Sequence, residues 1–270
     1  MVLDCQLFIL CGLTFIIHLV GTLAYAVRIA GVRTGRIAVC FALFNILVLV
    51  SRTSNSFQGP FLAKRIEANL LNGILQGDLL SDFRWLLASA TLATIIGAFL
   101  IPTFQRLFAR SVLHFQVYRS IPKLIMHAMF KGGIGYIKDA VRLPSPSNVA
   151  SLSSKNSISF WVIALNVLAV ALWTIGVFAS LYAGVLNPEF RVTASSLSSV
   201  INGVATILMF VLIDPQLSVM TDDVVSGHIS EAQFRRTIIW LVFSRLAGTL
   251  LAQMLLVPAA SLIVFIAMHM

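Results

Sequence analysis

Charge is what this sequence has least of: 11% of its 270 residues are Asp, Glu, Lys or Arg. Water-soluble domains carry about 25%. A soluble globular fold is therefore excluded, and the 59% hydrophobic content puts the chain in a membrane. Cysteine is scarce too. Cys5, Cys11 and Cys40 lie in apolar segments, match no zinc or redox spacing, and read as buried packing residues rather than disulfide partners. Catalytic signatures are missing: there is no HExxH, GxSxG, Walker loop or carboxylate-rich metal cluster, so neither metal nor cofactor is expected. Lys131–Tyr136 (KGGIGY) lacks the Lys-Ser/Thr ending of a phosphate loop and reads as a turn. His114, His127, His228 and His269 are scattered without ligand spacing, and Arg119-Ser120 near two of them is only a faint echo of a lipid phosphatase. The first apolar run has no basic n-region or cleavage site, and Asp4 stands where a signal peptide carries Lys or Arg, so a retained first helix is expected.

What the chain does have is long hydrophobic runs. A bilayer span takes about 20 mostly apolar residues. Six segments qualify: Leu3–Ile29, Arg36–Phe57, Phe83–Phe104, Ile158–Leu186, Val192–Ile213 and Arg236–Ala267. The fold class expected is an all-α polytopic membrane protein, one membrane domain over 1–270. It divides into a three-helix half (1–104), a connection (105–157) and a second three-helix half (158–270). Pro102 and Pro258 fall near the ends of their spans, and the last span is long enough to tilt or to break at Pro258. Basic residues mark the cytoplasmic side. Arg28, Arg33 and Arg36 lie in the first connection; Arg106, Arg110, Arg119, Lys123, Lys131, Lys138, Arg142 and Lys155 lie in the third; Arg235 and Arg236 lie in the fifth. Those three connections should face the cytoplasm, with both termini outside. The net charge of +9 is then a topology signal, and a nucleic-acid partner explains it poorly. In the third connection Leu107, Leu113, Val117, Ile121, Leu124 and Ile125 recur at helical spacing among basic residues. That pattern suits a basic amphipathic segment on anionic lipids, or equally a hairpin packed under the spans. Pro144–Ser154 reads as a loop.

Within the spans a few polar residues stand out. Arg52 and Arg245 sit inside apolar runs, where a charge costs roughly 2.5–3.5 kcal/mol and usually faces a cavity or a partner. Arg52 lies toward one end of its span, so snorkelling competes there. Asn55 and Gln58 beside Arg52, and Asn45, Asn202, Arg28 and Arg33, complete a set suited to a ligand that joins phosphate to sugar or peptide: guanidinium forks take phosphate, amides read hydroxyls and carbonyls. Ser51–Pro60, with six uncharged hydrogen-bonding side chains around Arg52, should close the second span. Glu189, Asp214 and His18 are the candidates for ion pairing or coupling; Asp214 precedes Pro215, where ending the span is the simpler role, and His18 alone is ordinarily a hydrogen-bonded core residue. The serines opening the fifth span suit either close helix approach or a wet cavity. Tyr25 and Tyr182 share their separation with Asn45 and Asn202, and Pro102 and Pro258 miss it by one position. Such an offset is what an inverted 3+3 repeat would leave, with the substrate path between the halves.

Two stretches carry a resemblance. Ala24–Gln58, with AYAVRIAGVRTGRIA followed by LFNILVLVSRTSNSFQGP, and the C-terminal LIDPQLSVMTDDVVSGHIS and RLAGTLLAQMLL resemble the Amj family of bacterial membrane proteins over nearly the whole chain. The resemblance implies a multi-pass protein of the bacterial cytoplasmic membrane. Its implied activity is a lipid II flippase alternate to MurJ, carrying undecaprenyl-pyrophosphate-linked disaccharide-pentapeptide from the inner to the outer leaflet. Lipid II and anionic membrane lipids are the implied partners, with a second copy of the chain or the cell-wall synthesis machinery as further ones. No family motif assigns roles to single residues. Two other readings of the residues stay open: a membrane enzyme acting on polyprenyl phosphates, and a non-catalytic envelope-assembly scaffold. Without a nucleotide motif, energy would come from an ion gradient, the membrane potential or consumption of the product.

Overall fold

The computed structural model describes residues 4–71, 73, 76–118, 120, 123, 133–145 and 158–270. The described residues are helical apart from turns and short connectors, with six helices long and apolar enough to cross a membrane. In order these are α1 (Cys5–Thr34), α2 (Ile37–Leu71), α3 (Gln76–Tyr118), the short α4 (Gly133–Ala140), α5 (Phe160–Leu186), a broken fifth span, and α9 (Glu231–His269). The fifth span comprises a 3₁₀ turn (Pro188–Phe190), α6 (Arg191–Ser196), α7 (Ser198–Ile207), a π-helical turn (Leu208–Ile213) and α8 (Asp214–Val225). It is a multi-pass membrane protein.

Local chemistry sets the helix ends. Asp4 caps α1 by accepting the Leu7 N–H at 2.8 Å. Gly35 ends the helix at φ 64, a left-handed position that costs glycine nothing, and its N–H returns to the last carbonyls of α1. Ser230 caps α9 by accepting the Gln233 N–H. The helices overrun the expected spans. α2 continues through Pro60 to Leu71, so the Ser51–Pro60 stretch does not close it. Pro102 lies inside α3 and Pro258 inside α9, and α9 passes Pro258 unbroken. Each proline removes one hydrogen bond, which a long packed helix tolerates. The 105–118 part of the third connection is a continuation of α3, not a separate helix, while Ile121, Leu124, Ile125 and Lys131 lie outside the described residues. The expected turn at KGGIGY is helical from Gly133 onward. Within Pro144–Ser154, Pro144 and Ser145 are irregular and the rest lies outside the described residues. Cys5 is exposed, Cys11 half-buried and Cys40 buried, all free thiols, so buried packing holds for Cys40 and not for Cys5. Asp214 does not end the fifth span: Pro215 cannot donate to the carbonyl four back, and the ladder there widens into the π turn before α8 resumes.

The packing is two layers of partnership. α1 lies against α2 and α3; α5 lies against α9 and the fifth span; α3 meets α9 across the middle. Hydrophobic burial drives helix association weakly in lipid, so close backbone approach and hydrogen bonds must supply it. Glycines provide the approach. A Cβ on Gly97 of α3 would lie 2.8 Å from Thr22 Cβ of α1, and one on Gly248 of α9 would lie 2.7 Å from the Val167 carbonyl of α5. At the end of the bundle carrying the termini, the buried Arg65 of α2 bonds Asp4 at 2.6 Å and the buried Asp82 of α3 at 2.7 Å, tying three helix ends together. The Asp4 carboxyl is held below its ordinary range by hydrogen bonds from Arg65 and from the Leu7 N–H.

Candidate functional site: an arginine-rimmed cavity and an intramembrane polar stripe

Pro102 and Ala98 of α3 face Ile239 and Val242 of α9 across a gap, and the gap is a cavity of about 620 Å³. It falls within the roughly 300–1,000 Å³ range of ligand sites. Its deep end is Thr94, Ile95 and Leu246, and its flank is apolar, with Phe99 and Phe243 half-exposed toward the surrounding lipid. Its mouth is cationic. Arg33 at the end of α1, Arg106 of α3, Arg235 at the start of α9 and Arg142 of the 141–145 segment all line it. Thr103 pins that segment over the mouth by bonding the Arg142 backbone N–H and carbonyl, both at 3.1 Å. Glu231 neutralises part of the ring, pairing with Arg33 at 2.7 Å and Arg235 at 2.6 Å. Arg106 and Arg142 have no carboxylate within ion-pair distance among the described residues, so their charge is available. A second cavity of about 560 Å³, between the ends of α5, α8 and α9, is lined by no cation among the described residues and contains Asp223.

A separate polar stripe follows one face of α1: His18, Thr22, Tyr25 and Arg28, at helical spacing. It runs where the two halves meet. Arg28 pairs with Asp214 of α8 at 2.9 Å and lies over the Phe41 ring at 5.3 Å. One turn deeper, the Tyr25 hydroxyl lies beside Asn166 and Arg245. Asn166 donates to Ser244 at 2.6 Å. The Arg245 guanidinium, 7% exposed, donates from Nε to Thr22 at 3.2 Å and rests on Gly21, where any side chain would collide with it. No carboxylate neutralises Arg245 among the described residues. Beyond it lies His18, buried, with Nδ1 unpartnered among the described residues.

A family model described as Alternate to MurJ matches residues 13–267. The chain belongs to the Amj family. Lipid II flippase Amj of Bacillus subtilis (strain 168) is 40% identical over 263 residues, which cover 94% of this chain and 93% of that protein. No solved structure matches.

The residues expected from the sequence of this Amj-family chain divide into three groups. Arg28, Asp214, Arg245 and His18 come together on the stripe, with Arg28 rather than Arg245 as the partner of Asp214. Arg33 joins the cavity mouth. The rest do neither. Arg52, Asn45 and Asn55 are exposed on the outer side of α2, and the Arg52 guanidinium has no hydrogen bond or ion pair among the described residues. Gln58 is buried and donates to Thr14 of α1. Asn202 is half-buried with its amide packed on Gly176 of α5, and Glu189 is exposed. The serines opening the fifth span turn inward on their own helix: Ser195 and Ser196 each donate to the Val192 carbonyl at 2.9 Å. Sequence reasoning took Arg106, Arg142 and Arg235 as topology marks and missed that they converge; their count was legible, their convergence was not.

Proposed function

We propose that this chain carries lipid II from the inner to the outer leaflet of the bacterial cytoplasmic membrane, and that the arginine-rimmed cavity receives its pyrophosphate. One observation carries the assignment of the site: two arginines with no ion-pair partner among the described residues, and two that share Glu231, ring the mouth of a cavity whose flank is apolar and meets lipid. Moving a pyrophosphate into hydrocarbon is prohibitive without compensation, because an isolated buried anion costs tens of kcal/mol in the Born limit of about ε = 4. Guanidinium forks replace water around phosphate with paired, charge-assisted hydrogen bonds. The polyprenyl chain needs no such shelter and can stay in lipid beside Phe99 and Phe243. The basic residues of the first, third and fifth connections support a mouth on the cytoplasmic side with both termini outside, so that the cavity opens where the lipid-linked precursor is made. Arg245, which has no carboxylate partner among the described residues and precedes the cavity-lining Leu246 in α9, is the next cation along the path.

The halves fit an inverted repeat. In each, the first helix packs against the second and third, α1 with α2 and α3, α5 with the fifth span and α9. The curated relative is named a flippase, which favours transport over lipid chemistry. The test is direct. In cells whose other lipid II flippases are depleted, a membrane-impermeant reagent that acts on outward-facing lipid II should reach its target only while this chain is produced. No difference between producing and non-producing cells sinks the transport reading. Chemical conversion of labelled lipid II by the purified protein would replace it with an enzyme.

A further inference from the structure

The α3–α9 seam has two unlike halves. At the end that carries the arginines it is parted by the cavity, from Arg106 and Arg235 at the mouth to Thr94 and Leu246 at the deep end. Beyond that level it is shut. Arg84 of α3 donates from Nη1 to both the main-chain carbonyl and the side-chain Oε1 of Gln253, and Gln253 Nε2 returns a hydrogen bond to the Arg84 carbonyl at 3.2 Å. Next to this exchange Phe83 is fully buried and packs edge-on against Phe178 of α5 at 6.4 Å and Tyr182 at 5.3 Å. Leu79, Leu86, Leu87, Leu256 and Ile263 fill the same cluster. From Leu246 to Gln253 is seven residues of α9, or about 10 Å at 1.5 Å per residue. A substrate in the cavity therefore faces a closed wall, with a polar latch and an aromatic plug.

Both walls contain a weak point. Pro102 lines the cavity on α3, and Pro258 follows Gln253 by little more than one turn on α9. Each leaves a helix carbonyl without its usual N–H and lowers the cost of bending there. The latch itself is chosen for opening. Arg84 bonds a carbonyl and an amide and, among the described residues, no carboxylate, so its release strands no counter-charge there. The clamp of Arg65 with Asp4 and Asp82 lies wholly within the first half and does not cross the seam.

We infer that the Arg84–Gln253 latch, with the Phe83–Phe178–Tyr182 plug behind it, is the outward gate of the cavity. The structure then is the inward-open, outward-closed state, and release of the latch opens the seam toward the outer leaflet. The inference rests on the transport reading for what passes, but its test reads access alone.

The three native cysteines are replaced by serine and a single cysteine is placed at Ala98, on the cavity wall. Labelling with a charged, impermeant maleimide is followed from inside, in inverted vesicles, and from outside, in intact cells. Labelling of the Ala98→Cys variant should proceed from inside and be slow from outside. The pair Arg84→Ala, Gln253→Ala should raise the outside rate by about tenfold, equivalent to about 1.4 kcal/mol of gate closure. Gln253→Glu converts the latch to an ion pair, and should lower the outside rate and slow lipid II export together. That second variant keeps side-chain size, so it reports even where the alanine pair fails to accumulate. Outside labelling unmoved by Gln253→Glu, and by the alanine pair at normal abundance, overturns the gate. Altered labelling in a chain that exports no lipid II keeps the gate and overturns the transport reading instead.

Discussion

Removing Arg106 and Arg142 is the sharpest perturbation of the proposed site. Both line the cavity mouth, and neither has an ion-pair partner among the described residues. The 141–145 segment is held by the Arg142 backbone rather than its side chain, so alanine there leaves the strap pinned to Thr103. Abundance should therefore be unchanged. A hydrogen bond to a charged group contributes roughly 1.5–3 kcal/mol. At about 1.4 kcal/mol per factor of ten, each lost arginine–phosphate contact should lower export by roughly 10- to 150-fold. Lysine should restore part of this, because it keeps the charge and loses the two-pronged fork. The assay is the access of an impermeant reagent to outward-facing lipid II, scored beside membrane abundance. The companion substitution runs the other way: Glu231→Gln frees Arg33 and Arg235 from their shared carboxylate and should tighten binding at the mouth. Full export by a normally abundant Arg106→Ala, Arg142→Ala double variant would refute the assignment of this cavity.

Four further outcomes follow from the geometry. Arg65→Ala should cost about 3–5 kcal/mol by leaving the buried Asp82 carboxylate unpaired, with Asp82→Asn restoring abundance in the double variant; equal loss in both variants would contradict this. The Asp4 carboxyl is depressed in the folded state, so its contribution is complete above its ordinary value near 3.8 and fades as pH falls through the lower folded value; Asp4→Asn should flatten the thermal-stability profile of purified protein only below about pH 4. Arg245→Met escapes an insertion cost of roughly 2.5–3.5 kcal/mol and loses a Thr22 bond of similar size, so abundance should hold while export falls; a collapse of abundance that a carboxylate neutralisation relieves would restore a salt-bridge role. In a cysteine-free background, Ser145→Cys should be protected from an impermeant thiol reagent in intact cells and Asn187→Cys should label, and the reverse pattern would invert the orientation.

The sequence by itself determined the membrane class, the spans and their number. Hydropathy over some twenty residues is a local sum, and a bilayer admits hardly any solution but a helix for such a run. It also determined the family, since resemblance accumulates along the chain without reference to contacts. Helix ends were less legible: α2 and α3 run far beyond their apolar windows, because helix continues wherever nothing stops it, and proline inside a packed helix does not suffice. What only the tertiary structure decided was which polar groups meet. Arg28 and Asp214 are separated by most of the chain and touch, while Arg52 stands among amides and hydroxyls and its guanidinium has no polar partner among the described residues. α2 carries apolar residues all around, so its rotation cannot be read from a periodic stripe, and Arg52 turned outward. Arg33, Arg106, Arg142 and Arg235 lie on separate elements that count equally toward charge in the sequence; the meeting of α1, α3 and α9 made them one site. Contact between remote residues is fixed by helix packing, and that information is spread over every interface in the bundle.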